Sequence, residues 1–368
     1  MDVLAEANRL KALGKPIISM AVGQPSDPAP RPVREAASAA ALAGRIGYTD
    51  ALGLRDLREA IARHYGEHYG VDVPVDRIIA TTGSSAAFNL AFLALFDVGD
   101  RVAITAPGYP AYRNILKALG VEVVEIDLHG AGHLTADHLR EAFGAQPFQG
   151  VLFASPANPT GSVIPGEEIA RIAQASRELG FALISDEIYH RLQYEGPDVT
   201  ALGIDPDIVV INSFSKYYCM TGWRIGWVVV PEPLVRPIER IQQSLYISAP
   251  EISQIAAARA FEATDELELV KQRYATSRAM LAERLPLLGL AIASPMDGAF
   301  YAYCDVSQHT NDSMDFARRM IAEAHVAATP GHDFDTQNGH RTMRFSYAGD
   351  PGDMAEAMDR LGRWLGRR

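Results

Sequence analysis

The sequence holds few cysteines, only two in 368 residues. Cys219 and Cys304 stand far apart, so they supply neither a disulfide framework nor the close Cys/His spacing of a metal site. A reducing, cytoplasmic setting is expected. Long apolar runs are missing as well. No stretch reaches the about 18–20 apolar residues that a membrane-spanning helix needs, and no membrane partner is expected. Positive charge is scarce: 34 Lys+Arg face 45 Asp+Glu, for a net −11. That balance argues against binding nucleic acid through bulk charge, and it leaves open a local basic pocket for a small anion. The opening stretch MDVLAEANRLKALGK has charge throughout and no apolar signal-peptide core. Its apolar positions Val3, Leu4, Ala7, Leu10 and Leu13 recur at helical spacing, with Gly14 as a stop. Internal repeats and low-complexity linkers are also missing.

What is present suits a large buried core. Hydrophobic residues make up 48% and charged residues 21%, ordinary values for a soluble globular protein. The length fits about two to three domains. From about residue 77, short apolar runs alternate with amphipathic ones. RIIATTG, RVAITAPG, VEVVEID, GVLFASP, FALISDE, DIVVINS and IGWVVV read as strands. SSAAFNLAFLALF, YPAYRNILKALG, TADHLREAF (Thr135 as N-cap) and PGEEIARIAQASRELG read as helices. This alternation implies βαβ units and a mostly parallel sheet. Continuously apolar strands imply helices on both faces. After about residue 250, long helical patterns dominate, joined by the shorter strands FYAYCDV, HVAATP and TMRFSYA. The expected fold is therefore α/β: a mostly parallel sheet sandwiched by helices, with a smaller α+β domain. The large domain is expected over residues 30–250. Residues 1–29 with 251–368 would form the small, discontinuous one.

Ligands of an open parallel sheet bind beyond the carboxyl ends of its strands. Gly83-Ser84-Ser85 follow the first strand, and Tyr109 follows the second. Asn158, in NPTG, follows GVLFASP. Asp186 and Tyr189 follow FALIS, and Ser213, Ser215 and Lys216 follow DIVVIN. Each has an ordinary reading: a helix start, a turn, an N-cap, a core tyrosine, a surface lysine. Their convergence on one edge favours chemistry. A helix N-terminus with serines and Arg224 suits a phosphate. Tyr109 suits a planar ring, and Asp186 a protonated ring nitrogen. A partly desolvated lysine beside a second cation is an imine-forming nucleophile. Together these groups describe a site for pyridoxal 5′-phosphate.

The stretch SFSKYYCMTGWRIG, with NPTG and DEIY ahead of it in that order, resembles the class I/II aminotransferases of the aspartate-aminotransferase fold. The likeness runs from VGQP to RFSYAG, and it implies a central sheet of the seven-stranded type. By this resemblance, Lys216 forms the covalent imine link to the cofactor and later shuttles the proton. Asp186 pairs with the ring nitrogen, and Tyr189 and Asn158 contact the phenolic oxygen. Tyr109 stacks on the ring, where many members carry tryptophan. Gly83, Ser84, Ser85, Ser213 and Arg224 form the phosphate cup, with Ser215 beside it. Tyr48 reaches the phosphate from the neighbouring subunit of a homodimer. Arg344 grips the substrate α-carboxylate, with a backbone contact from Gly23. The implied reaction moves an amino group from an L-amino acid to a 2-oxo acid by ping-pong half-reactions. A β-lyase of the same fold is the alternative. The effector domain of a transcriptional regulator is a third reading, and it calls for a DNA-binding module ahead of the first helix. Two departures stand out. The chain starts later than many relatives, so a shortened N-terminal arm is expected. No residue marks a site for a distal carboxylate, so a preference for acidic donors is not expected.

Overall fold

Continuous apolar stretches build one large sheet in the middle of the chain. The computed structural model describes residues 2–128 and 130–366. The strands of this sheet are β1 (Ile78–Thr81), β2 (Arg101–Ala106), β3 (Glu122–Asp127), β4 (Gly150–Ala154), β5 (Ala182–Asp186), β6 (Val209–Ser213) and β7 (Gly226–Val229). All seven lie in one sheet, in the spatial order β1-β7-β6-β5-β4-β2-β3. β7 runs antiparallel to both its neighbours. The other pairings are parallel. The carboxyl ends of β1, β2, β4, β5 and β6 therefore share one edge.

Side chains alternate across the sheet, so each strand feeds two cores. Ile79, Val102, Leu152, Ile184 and Val209 pack on one face with Phe88 and Phe92 of the helix Gly83–Leu95 and Leu116 of the helix Pro110–Ala118. Ile78, Ala103, Val151, Leu183 and Val210 join the other core, with Ile169 and Ile172 of the helix Gly166–Leu179. Fully burying one such aliphatic side chain is worth about 1.5–3 kcal/mol. The helix Ala136–Ala145 starts on the expected Thr135, whose hydroxyl accepts from His138 N–H in a capping box.

The C-terminal part adds a four-stranded sheet in the order Thr329–Pro330, Thr342–Ser346, Tyr301–Asp305, Ala291–Ile292. The long helices Thr264–Leu287 and Pro351–Trp364 accompany it. HVAATP, expected as one strand, divides in two. Val326–Ala327 pairs in parallel with Ile18–Ser19, and Thr329–Pro330 lies at the edge of the four-stranded sheet. Pro330 has no N–H to give a further strand, which suits an edge. Among the described residues, no helix is long and apolar enough to cross a membrane.

Candidate active site

β6 ends at Ser213, and the chain bends at once. Ser215 N–H donates to Ser213 Oγ (3.1 Å) in a serine turn. The next residue is Lys216, part-buried, whose Nζ donates to the Gly23 carbonyl at 2.7 Å. Burial pulls its amine down to about 8. The neighbouring Arg344 and Arg224 cations act in the same direction, and Asp186 opposes them. A substantial share of this amine is thus uncharged near neutral to mildly alkaline pH.

Asp186 closes β5 and is 1% exposed. Its carboxylate accepts from the Tyr112 hydroxyl and from Ile188 N–H (3.1 Å). Burial pushes its pKa up to about 6, while those two donors and Lys216 hold it down. No helix starts here, so Asp186 is not a helix cap. Tyr109 precedes the helix Pro110–Ala118 as its N-cap residue, and its ring meets Tyr112 edge-on at 5.3 Å.

The start of the helix Gly83–Leu95 lies against β7. Gly83 has φ +73, and a Cβ there would lie 2.5 Å from Arg224 Nη2. Arg224 is itself left-handed (φ 49), and its Nη1 donates to the Thr221 carbonyl at 2.9 Å. A Cβ on Gly226 would lie 3.1 Å from both Gly83 C and Ser84 N. Glycine at 226 thus lets strand and helix start touch backbone to backbone. Ser213 pairs with Gly226 across the β6–β7 ladder, which brings Ser213, Gly83, Ser84 and Arg224 together. Ser84 is half-buried and Ser85 exposed.

Arg344 lies on Thr342–Ser346, buried at 6% exposure. Nη1 donates to Asn158 Oδ1 (2.8 Å) and Nη2 to the Ala21 carbonyl (2.7 Å). Nε has no partner. The rings of Tyr301 and Phe334 lie 4.2 and 4.7 Å from the guanidinium carbon. Tyr189 is buried with its hydroxyl 2.7 Å from that of Tyr301.

Residues 15–361 match the family described as Aminotransferase class I and II. The chain belongs to this family. It is 48% identical to the valine–pyruvate aminotransferase of Mycobacterium tuberculosis, over 99% of this chain and 95% of that protein. It is 33% identical to the aspartate/prephenate aminotransferase of Thermus thermophilus, over 99% and 95%. A crystal structure of an aminotransferase from Mycobacterium tuberculosis matches it with a TM-score of 0.96 at 47% identity, covering 100% of this chain and 96% of that one. The Thermus thermophilus aspartate aminotransferase with maleate matches with a TM-score of 0.91 at 32% identity, covering 98% and 95%. The protein is therefore an aminotransferase. None of these relatives is named as a lyase.

The site of this aminotransferase gathers most of the residues expected from the sequence. Asp186, Arg344 and Arg224 act electrostatically on both Lys216 and Tyr109. Gly23 touches Lys216, Asn158 touches Arg344, and Ser215 and Ser213 form one turn. Tyr48 stands apart, 83% exposed. Two contributors escaped sequence reasoning. Tyr112 follows Tyr109 at a spacing of three on the first turn of a helix, which puts both on one face; that spacing was the available signal. Tyr301 lies in an ordinary strand pattern, and nothing in that pattern marks it.

Proposed function

We propose that this aminotransferase works with pyridoxal 5′-phosphate joined to Lys216, passing an amino group from an L-amino acid to a 2-oxo acid. The observation that carries the reading is the placement of Lys216 just beyond β6, beside the strand that ends in Asp186, with burial and Arg344 both pulling its amine below the ordinary lysine range. The residues suit this cofactor. A buried carboxylate suits a ring nitrogen, and the glycine-lined helix start beside Arg224 suits a phosphate. When bound, the cofactor supplies a conjugated ring that takes up the electron pair released on Cα deprotonation.

Lys216 makes the covalent link and, once released, carries the proton to and from Cα. Asp186 keeps the ring nitrogen protonated. Asn158 and Tyr189 donate to the phenolic oxygen, and Tyr109 covers the ring. Gly83, Ser84, Ser85, Ser213, Ser215 and Arg224 hold the phosphate. Arg344 grips the α-carboxylate, helped by the Gly23 backbone. The cations acting on Lys216 are Arg344 and Arg224, and both are committed in this scheme. A donor with a neutral side chain fits that arrangement, and so does the name of the 48% identical relative. Valine with pyruvate is the pair to try first. We further propose a large domain over residues 30–250, a small one over 1–29 with 251–368, and a cytoplasmic enzyme.

The working unit on this reading is a homodimer in which Tyr48 serves the partner's phosphate. Exposed Ile46 and Tyr48 lie on a segment tied to the one that exposes Leu245 and Ile247. Thr49 N–H donates to Ser248 Oγ (3.3 Å), and Gly47 N–H to Glu251 Oε2 (2.5 Å). An apolar surface of this kind suits a subunit contact. Borohydride reduction followed by peptide mapping tests the central claim. The adduct is expected on Lys216, and an adduct on another residue, or none, would overturn it.

A further inference from the structure

The strand Tyr301–Asp305 pairs with Thr342–Ser346, the strand that carries Arg344. Tyr301 is 1% exposed and reaches three parts of the site at once. Its ring lies 4.2 Å from the Arg344 guanidinium carbon. Its hydroxyl lies 2.7 Å from that of Tyr189. The same hydroxyl fills the space where a Cβ on residue 23 would stand, so a side chain there would displace it. Gly23 in turn offers its carbonyl to Lys216. Resting on the roles proposed above for Arg344 and Tyr189, we propose that Tyr301 is a positioning residue with two separable parts. The ring sets the plane of the Arg344 guanidinium, and the hydroxyl sets the direction of the Tyr189 proton.

The ring part follows from the geometry of a two-point grip. A guanidinium binds a carboxylate through two parallel hydrogen bonds only when their planes agree. Asn158, Ala21 and Thr329 accept from the Nη atoms, and of the two rings that meet the guanidinium, Tyr301 at 4.2 Å is nearer than Phe334 at 4.7 Å. An aromatic ring close to the cation adds attraction and limits its tilt. The hydroxyl part follows from counting protons. Tyr189 has one proton to give. If it is given to the cofactor's phenolic oxygen, then within the tyrosine pair Tyr301 must be the donor. Accepting from Tyr301 strengthens the outward bond of Tyr189, because hydrogen bonds in a chain polarise one another.

Two variants of the holoenzyme separate the parts. Tyr301→Phe keeps the ring and removes the hydroxyl. A phenolic oxygen served by a weakened donor holds nearby protons more tightly. The pH midpoint of the bound cofactor's visible absorbance is therefore expected to rise by about half a unit to one unit. The dissociation constant of 3-methylbutanoate, an unreactive carboxylate, should stay within about twofold of the unsubstituted enzyme, since the ring still faces Arg344. Tyr301→Met fills similar space without a ring. It is expected to weaken 3-methylbutanoate binding, and to raise the KM of every amino donor, by about threefold to thirtyfold. An unmoved midpoint in Tyr301→Phe overturns the hydroxyl part. Equal weakening of carboxylate binding in both variants overturns the ring part. If Tyr301→Met does not fold, Tyr301→Phe decides both parts, because a large loss of carboxylate affinity there refutes the ring and retention supports it. A visible band with a Lys216 adduct but no shift refutes the hydroxyl part and leaves the cofactor reading standing. A missing band or adduct in the unsubstituted enzyme refutes the cofactor reading as well.

Discussion

Asp186 sits beside a phenol and a lysine with almost no access to water, and its titration follows from those neighbours. Its native value of about 6 lies above the ordinary 3.8. In that window the native state binds more protons than the unfolded one, so stability falls as pH rises. The contribution of the protonated carboxyl is full below about 4 and is lost as pH passes about 6. Asp186→Asn is expected to flatten that part of the apoenzyme's stability curve, measured by denaturant midpoints against pH. Tyr112→Phe removes a donor to the charged form, so the window is expected to extend upward by about one pH unit. A curve unchanged by Tyr112→Phe would mean that the Tyr112 contact does not tune Asp186. At this scale the sequence located Asp186 and Lys216 at or just past the ends of buried strands, where the structure has them. It was silent on Tyr112 and Tyr301, because a tyrosine inside a regular helix or strand looks the same whether its hydroxyl meets water or another buried polar group.

The seven central strands were legible as elements because both faces of the sheet are covered, which leaves no room for polar alternation. Their shared edge followed from parallel pairing, and with it the convergence of Lys216, Asp186 and Asn158. The splitting of HVAATP was not legible, since two-residue strands carry no period of their own. The contact between β7 and the helix Gly83–Leu95 was not legible either, because it joins backbone to backbone. A Cβ on Gly226 would lie 2.8 Å from the Asn212 carbonyl and 3.1 Å from Gly83 C and Ser84 N. These are main-chain atoms, which cannot rotate aside. Gly226→Ala is therefore expected to cost about 1–3 kcal/mol and to weaken cofactor uptake by the apoenzyme. Gly222→Ala is the control, because a Cβ there meets nothing within 4 Å. Equal denaturant midpoints for the two variants would show that the helix start adjusts freely.

At the scale of the whole molecule, Tyr48 tests the shared site. It is 83% exposed, and on the proposed homodimer it serves the partner's site. Mixing Tyr48→Phe, if sufficiently impaired, with Lys216→Ala under conditions of subunit exchange gives mixed dimers with one intact site each. With random exchange of equal amounts, activity is expected to return at about a quarter of all sites. Confirmed exchange without recovery would assign Tyr48 to its own subunit. The contact between Lys216 Nζ and the Gly23 carbonyl extends beyond the pocket. Gly23 follows Met20, which is anchored on both sides: Met20 N–H donates to Ala327, and the Met20 carbonyl accepts from Ser346. On the proposed scheme the lysine is tethered to the cofactor in one resting form and free in the other. Only a free lysine has its amine available for Gly23, so on that scheme the segment after Met20 would act as a latch, held in one form and released in the other. Amide exchange over residues 20–26 is expected to be slower in the amino-loaded form than in the lysine-linked form. Identical exchange in the two forms would show that the latch stays shut, or open, throughout.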